Sequence, residues 1–492
     1  MAQEDEDIDT IFGRKQELKL LDEVYSATEA QFLAVYGRRR IGKTFLISHY
    51  FHNKGYYFEF TGVKDASLQT QLMNFQIAFA EVFFYGTLQE RPSSWIAAMT
   101  QLRKHIQQLP QDKKIIIFID EIPWLATPKS GFLGALDHMW NRYLSRMPNV
   151  ILIICGSAAS WMIDNIIYDT GGLYGRLSKE IHLHPFNLHD AEQYLAYRNV
   201  EINRKQIVEL YFAMGGVAKY LNNIKAGMSS AQVINEVCFT RDGFLFNEFN
   251  KLYRSLFNNF ENHIKIVRAL AQKATGLPRD LLLKKAGIST GGTATKVLEE
   301  LLQSGFIMTV PIFGTKSTIF KLIDFYSLFY LHWIEPVQHP GVESSGNDYW
   351  LKLYGKPKWF SWAGLAFENI CLMHVEQIKR ALGISGVNTK ISAWRYYPES
   401  DENQGVQIDL VIDRDDQCIN LCDMKFSDFE YTVTKEYAEK LNRKKAIFRQ
   451  ITGTKKALFT TLITTYGAIE NANYHDSVQK QVKLDEIFEE PI

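Results

Sequence analysis

The segment Gly37-Arg38-Arg39-Arg40-Ile41-Gly42-Lys43-Thr44 constrains this chain more than any other stretch. It fits the pattern G-x-x-x-x-G-K-[ST], follows the apolar run Phe32–Tyr36 and precedes the helical Phe45–Tyr50. A loop of this kind needs glycines so that backbone N–H groups curl around phosphates, and the helix N-terminus behind it adds a favourable dipole. Lys43 is placed to reach the β- and γ-phosphates of ATP, and the Thr44 hydroxyl to ligate Mg²⁺. Downstream, Lys114–Glu121 is an apolar strand ending in two carboxylates. Asp120 would hold the Mg²⁺ through water and Glu121 would polarise the attacking water. A third strand, Val150–Cys155, ends in Gly156-Ser157, where Ser157 offers a polar side chain to the γ-phosphate. With Glu180–Leu183 these runs are apolar and largely β-branched, as a parallel sheet covered on both faces requires.

The chain has 492 residues, 46% of them hydrophobic and 13% aromatic, enough for about three domains at roughly 150 residues each. Lys and Arg number 55 and Asp and Glu number 55, which excludes a globally basic nucleic-acid coat while leaving room for a local basic face. Five scattered cysteines make no disulfide framework, so a reducing cytoplasm is expected. Met1–Thr10 is acidic without an apolar stretch, so no signal peptide is expected, and apolar runs such as Ile115–Ile119 are too short to span a membrane.

The organisation reads as four parts. Residues 1–190 form the nucleotide-binding core, and residues 191–258 a helical lid with a break at Gly215-Gly216. Residues 259–335 give three short helical patterns, then Phe306–Val310, a turn region Pro311–Ser317 and Thr318–Leu322, the order of a winged helix-turn-helix. A linker, Glu335–Asn347, leads to residues 348–492. There a helix (about Trp362–Leu382) precedes strands Ile391–Tyr397, Val406–Ile412 and Cys418–Asp423, a charged helix (about Thr434–Arg449) and a strand Lys456–Tyr466.

Between Glu261 and Leu322 nine basic residues (Lys265, Arg268, Lys273, Arg279, Lys284, Lys285, Lys296, Lys316, Lys321) face four acidic ones (Glu261, Asp280, Glu299, Glu300). Ser289–Thr293 reads as a hydroxyl-capped entry into the helix Ala294–Gln303, with Lys296 able to contact a DNA phosphate. Packing between domains is the other use such an element has.

In the C-terminal part, period two places Asp423 and Lys425 on one face of a strand, and the preceding strand presents Asp409 amid apolar neighbours. Glu368 lies on an otherwise apolar helix. This order of Glu, Asp and Asp-x-Lys resembles the PD-(D/E)XK nuclease core. Glu368, Asp409 and Asp423 would then gather Mg²⁺ or Mn²⁺ through hard oxygen ligands, and Lys425 would orient the attacking water. Lys435, Lys440, Arg443, Lys444, Lys445 and Arg449 on the next helix either hold a nucleic-acid backbone or form a solvated face, since Glu436 and Glu439 interleave with them. Cys418 and Cys422 have no second pair for zinc, and His182 and His184 read as a sheet edge rather than a metal site.

Phe12-Gly13-Arg14-Lys15-Gln16-Glu17-Leu18, the phosphate loop, Asp120-Glu121, Cys155-Gly156-Ser157 and Tyr174-Gly175-Arg176-Leu177 occur in one characteristic order. Over nearly its whole length the chain resembles archaeal and bacterial AAA+/STAND-type P-loop ATPases with a winged helix and a C-terminal nuclease-like domain. The resemblance implies an α/β fold, with Ile11 and Phe12 near the adenine. Arg176 is either an arginine finger from a neighbouring copy or a surface arginine. It also implies a lid motif Gly-Gly-x-Pro, which here reads Gly215-Gly216-Val217-Ala218. The expected activity is ATP hydrolysis whose nucleotide state controls DNA binding and metal-dependent DNA cleavage, in a nucleotide-dependent homo-oligomer. The rival expectation is a signalling switch with a catalytically idle C-terminal module.

Overall fold

The computed structural model describes residues 11–168, 173, 175–257, 259–338, 348–397 and 405–490. Tyr174 and most of the expected linker lie outside the described residues. The chain divides into two compact units, Met1–Pro185 and Phe186–Ile492.

The first unit is built on five parallel strands: β1 (Gln31–Tyr36), β2 (Tyr56–Thr61), β3 (Ile115–Asp120), β4 (Val150–Gly156) and β5 (Lys179–His182). Their order is β2-β3-β4-β1-β5. Every residue of β1, β3 and β4 is buried, which explains why these three strands read as continuous apolar runs. β2 escapes that reading: it is a half-buried edge strand in which Glu59 and Thr61 interrupt the aromatic residues. It leads into the helices Leu68–Phe83 and Trp95–Ile106, whose Phe75, Phe79 and Trp95 interleave with Phe58 and Phe60. Register aligns Tyr36 with Gly156, and Ile119 with Ile154. The C-terminal ends of β1, β3 and β4 therefore lie side by side, the place where open parallel sheets hold ligands.

The second unit begins with helices Leu188–Tyr197 and Arg204–Met214. Phe186 N–H donates to Gly216 O at 2.7 Å and Tyr211 Oη donates to Phe186 O at 2.8 Å. The backbone approach is so close that a Cβ on Gly216 would collide with Phe186 O. Helices Glu261–Ala271, Arg279–Ala286 and Gly292–Gln303 precede an antiparallel hairpin of β6 (Ile307–Pro311) and β7 (Thr318–Leu322). The expected hydroxyl cap is absent: the third helix starts after Gly291, which has no side-chain oxygen to offer.

The remaining chain forms a mixed sheet of β8 (Thr389–Tyr396), β9 (Val406–Arg414), β10 (Cys418–Lys425), β12 (Ala457–Thr464) and β14 (Lys480–Lys483), in the order β14-β12-β10-β9-β8. A short pair, β11 (Tyr431–Thr432) and β13 (Ala468–Ile469), lies beside it. β8, β9 and β10 are antiparallel neighbours, while β10, β12 and β14 run parallel. The single helix expected over Trp362–Leu382 is two, Pro357–Met373 and Val375–Ala381, broken at His374. At the break the His374 imidazole is anchored on both sides: its Nδ1 bonds to Ile370 O, and its Nε2 accepts from Leu188 N–H.

The hairpin is stitched to this sheet. Ile312 bridges Ala393 of β8, Phe313 N–H donates to Ala393 O at 2.8 Å, and the Phe313 ring lies 5.0 Å from Phe448. Asn369 Nδ2 donates to Leu322 O, and the Arg395 guanidinium bonds to the Thr275 and Gly276 carbonyls. Among the described residues, no helix is long and apolar enough to cross a membrane.

Candidate functional site

The phosphate loop leaves β1 at Gly37, where φ is 142° and a Cβ would collide with Leu183 O. It enters the helix Lys43–Phe51 through Gly42, whose φ is 97°. The sequence therefore needs glycine at both ends for backbone conformation as well as for phosphate access. Arg14 ties the Ile11–Arg14 segment to this loop: NH1 donates to His184 O at 2.9 Å and NH2 to Ile41 O at 3.1 Å. This role of Arg14 depends on backbone carbonyls 27 and 170 residues away and so leaves no local signal in the sequence.

Lys43 Nζ donates to Gly37 O, Arg38 O and Ser157 Oγ, at 2.9, 2.9 and 3.0 Å. Ser157 Oγ in turn donates to Glu121 Oε1 at 2.5 Å, and Ser157 N–H to Glu121 Oε2 at 3.1 Å. Thr44 Oγ1 donates to Asp120 Oδ2 at 2.6 Å, and Asp120 Oδ1 accepts from Glu121 N–H at 2.8 Å. Burial pushes the Glu121 carboxyl above its usual range, with Lys43 and Ser157 pulling only partly against it. Lys43, Thr44, Asp120, Glu121 and Ser157 thus form one continuous polar network at the carboxyl end of the sheet. A hydroxyl and a carboxylate held 2.6 Å apart are hard oxygen donors of the kind Mg²⁺ takes, and Lys43 provides the charge a triphosphate needs. This donor set fits Mg²⁺–ATP. Arg38 and Ile41 are buried in the loop, and Arg39 and Arg40 are half-buried. Ile11 and Phe12 are half-buried beside Arg14. Arg176 is exposed and takes no part in the network.

A second site lies in the other unit. Glu368, Asp409, Asp423 and Lys425 line one pocket of about 870 Å³ with Tyr437, Lys440, Arg443 and Lys444. Asp423 Oδ1 accepts from Tyr437 Oη at 2.5 Å and pairs with Lys425 Nζ at 3.0 Å, while Oδ2 pairs with Lys444 Nζ at 2.5 Å. Burial pushes the Asp423 carboxyl up, but the two lysines more than reverse this and hold it well below the ordinary carboxylate range. Glu368 goes the other way: burial, then Asp409, raise it well above that range. Its Oε2 is buried without a hydrogen-bond partner. Asp409 Oδ1 accepts from Gln407 Nε2 at 2.6 Å.

The expected gathering of Glu368, Asp409 and Asp423 into a ligand set is therefore corrected in part. They share a pocket, yet among the described residues no group of three or more His, Cys, Asp or Glu stands close enough together to hold a metal ion. Lysine ammoniums already compensate Asp423. Carboxyl oxygens are the donor type a hard divalent cation takes, but as arranged here they do not make a ligand set. Charge counting over the hairpin region also needs correction. Lys321 is buried at 2% exposure, where its charge acts on Glu368, and Arg268 is paired with Glu335.

Residues 11–224 match the family model of an ATPase domain found predominantly in Archaea. An uncharacterised protein of Methanocaldococcus jannaschii is 23% identical over 438 residues, covering 88% of this chain and 91% of that protein. An uncharacterised ATP-binding protein of the same organism is 44% identical over 42 residues, which are 8% of this chain and 71% of that protein. The solved Walker-type ATPase of Pyrococcus abyssi superposes with a TM-score of 0.44 at 20% identity, over 65% of this chain and 96% of that one. The match over residues 11–224, which contain the Lys43 network, supports nucleotide binding and hydrolysis there.

Proposed function

We propose that the chain binds and hydrolyses ATP at residues 37–44, and that its nucleotide state controls DNA binding by the second unit. The observation that carries the first half is the unbroken relay from Lys43 through Ser157 to Glu121, beside Thr44 and Asp120. In this reading the loop backbone from Gly37 to Thr44 cradles the phosphates, and Thr44 and Asp120 hold Mg²⁺. Glu121 polarises the attacking water, and Ser157 couples its position to Lys43. Ile11 and Phe12 flank the adenine, and the exposed Arg176 serves a neighbouring copy in a nucleotide-dependent oligomer. Lys43→Ala should abolish ATP binding in a titration, because it removes the ammonium aimed at the phosphates. Glu121→Gln should keep ATP affinity and lower turnover by at least about a hundredfold, the usual size of a general-base contribution. A Lys43→Ala protein with unchanged ATP affinity would refute this reading.

For the second unit, the pocket supports contact with a phosphodiester backbone, since Lys425, Lys440, Arg443 and Lys444 line it. Glu368, Asp409 and Asp423 would hold a divalent cation only by drawing closer together than they stand here. When bound, such a cation would stabilise the charge that develops on phosphorus during DNA hydrolysis. In this reading Lys425, beside Asp423, orients the nucleophile. Lysine compensation of Asp423 equally supports the rival reading, a binding module that switches a signal without cleavage. Cleavage of DNA by wild type but not by Asp423→Ala, with ATP turnover retained in both, separates the two.

A further inference from the structure

We propose that a small-molecule site lies at the amino-terminal edge of the parallel sheet, where Lys54, Lys113 and Lys114 receive a phosphate monoester that also carries a hydroxyl or amino group. The cavity measures about 430 Å³ and lies in the first unit, lined by Tyr25, Asn53–Gly55, Gln111–Lys114 and Asn149. Small-molecule sites span roughly 300 to 1,000 Å³, so it has room for more than the phosphate. The phosphate loop is at the opposite end of the strands. β3, six residues long, separates the cavity from Asp120, about 20 Å at about 3.3 Å per residue. The ATPase reading uses none of these lysines.

Backbone contacts fix the segments that carry the lysines. Tyr56 N–H donates to Lys114 O and Ile115 N–H to Asn149 O, both at 2.9 Å. Gly55 lies so close to Lys114 O that a Cβ would collide with it, which presses the turn after Lys54 against the start of β3. Lys54 Nζ sits 3.3 Å from the centre of the Tyr50 ring, and Lys114 Nζ donates to Ala27 O at 2.5 Å. Burial pulls both lysines below their usual range, and Asp22 acts against this at Lys54 alone. Asp22 is itself engaged, accepting from Tyr50 Oη. Lys54 follows the helix Lys43–Phe51, whose dipole it complements, but Lys113 and Lys114 precede a strand, so the dipole does not account for the cluster. Asp112 is the acid among the lining residues, and three lysines less one carboxylate leave +2, the charge a phosphate monoester dianion neutralises. A carboxylate ligand would cover half of it. Asn149 adds a second requirement. Its Nδ2 donates to Lys113 O at 3.0 Å, while its Oδ1 is buried with no hydrogen-bond partner. That orphan acceptor calls for an O–H or N–H beside the phosphate.

The test is calorimetric titration of the full chain with ribose 5-phosphate, with inorganic phosphate and with ribose. Ribose 5-phosphate should bind saturably, inorganic phosphate more weakly and ribose not at all. Lys54→Gln combined with Lys113→Gln should weaken ribose 5-phosphate at least about tenfold, the loss that one hydrogen bond to a charged group represents. Asn149→Ala should weaken ribose 5-phosphate while leaving inorganic phosphate unchanged. ATP turnover and melting temperature of the double lysine variant should match wild type, which separates a lost site from a lost fold. Lys43→Ala should keep its affinity for ribose 5-phosphate, because the phosphate loop lies at the other end of the sheet. No saturable binding in wild type, or equal affinity in wild type and the double lysine variant, would overturn the site. Affinity lost in Lys43→Ala and kept in the double lysine variant would overturn it too, placing the phosphate in the ATP loop.

Discussion

His374 shows how a single buried side chain ties local geometry to solution behaviour. Its Nε2 accepts from Leu188 N–H and its Nδ1 donates to Ile370 O at 2.8 Å, a pattern only the neutral ring can satisfy. Burial drives its pKa from 6.5 down to about 4, the bond to Ile370 pulling only weakly the other way. The folded state therefore binds this proton later than the unfolded chain does. Stability from this group is complete above pH 6.5 and is lost as pH falls toward 4, by up to about 3 kcal/mol. Urea unfolding of wild type and His374→Gln from pH 7 to pH 4 should show their stability difference shrinking across that window. The phosphate-loop residues were legible in the sequence because their chemistry fixes spacing within one short segment. Lys321 was not: its identity adds to a count of charges, and only the facing of β7 shows that it points inward.

At the scale of elements, what was legible followed burial. β1, β3 and β4, buried at every position, were readable as apolar runs. The half-exposed β2 was not, and neither was β14, four residues of which two are lysines. The joint between Phe186 and Gly216 depends on a backbone approach that no periodicity reports. Gly216→Ala would force the Phe186 carbonyl away, disturbing the bond it accepts from Tyr211 Oη and the one Phe186 N–H donates to Gly216 O, so overpacking should cost about 2 kcal/mol or more. Thermal melting should register this as a drop of several degrees, while ATP affinity at Lys43 supplies the control.

For the whole molecule, a formal charge of zero conceals how unevenly the cations are committed. Around the hairpin, Lys321 is buried, Arg268 pairs with Glu335 and Lys296 stands 3.9 Å from Glu300. Around the C-terminal pocket, Lys440 and Arg443 line the cavity while Lys444 is paired with Asp423. If DNA lies in that pocket, Lys440→Ala with Arg443→Ala should flatten the salt dependence of binding by about two units of slope, at about 0.9 per phosphate contact on duplex DNA. Lys296→Ala with Lys316→Ala should then leave the slope nearly unchanged, and the reverse outcome would move the DNA to the helices Glu261–Ala271, Arg279–Ala286 and Gly292–Gln303 and their hairpin.

The stitching of the hairpin to β8 also bears on how such a chain can be inherited and recombined. A cut at the segment before residue 348, where composition suggests a linker, would strip Ala393 of its partner Ile312, Phe448 of Phe313, and Asn369 of the Leu322 carbonyl. It would also bare Val310 and Ile319, which share a small apolar cluster with Ala393. Gene fusions that moved the sheet alone would deliver a module with a torn edge, so the smallest exchangeable piece begins upstream of the hairpin. By side-chain packing, the boundary of the C-terminal module lies upstream of the hairpin rather than at the polar segment before residue 348.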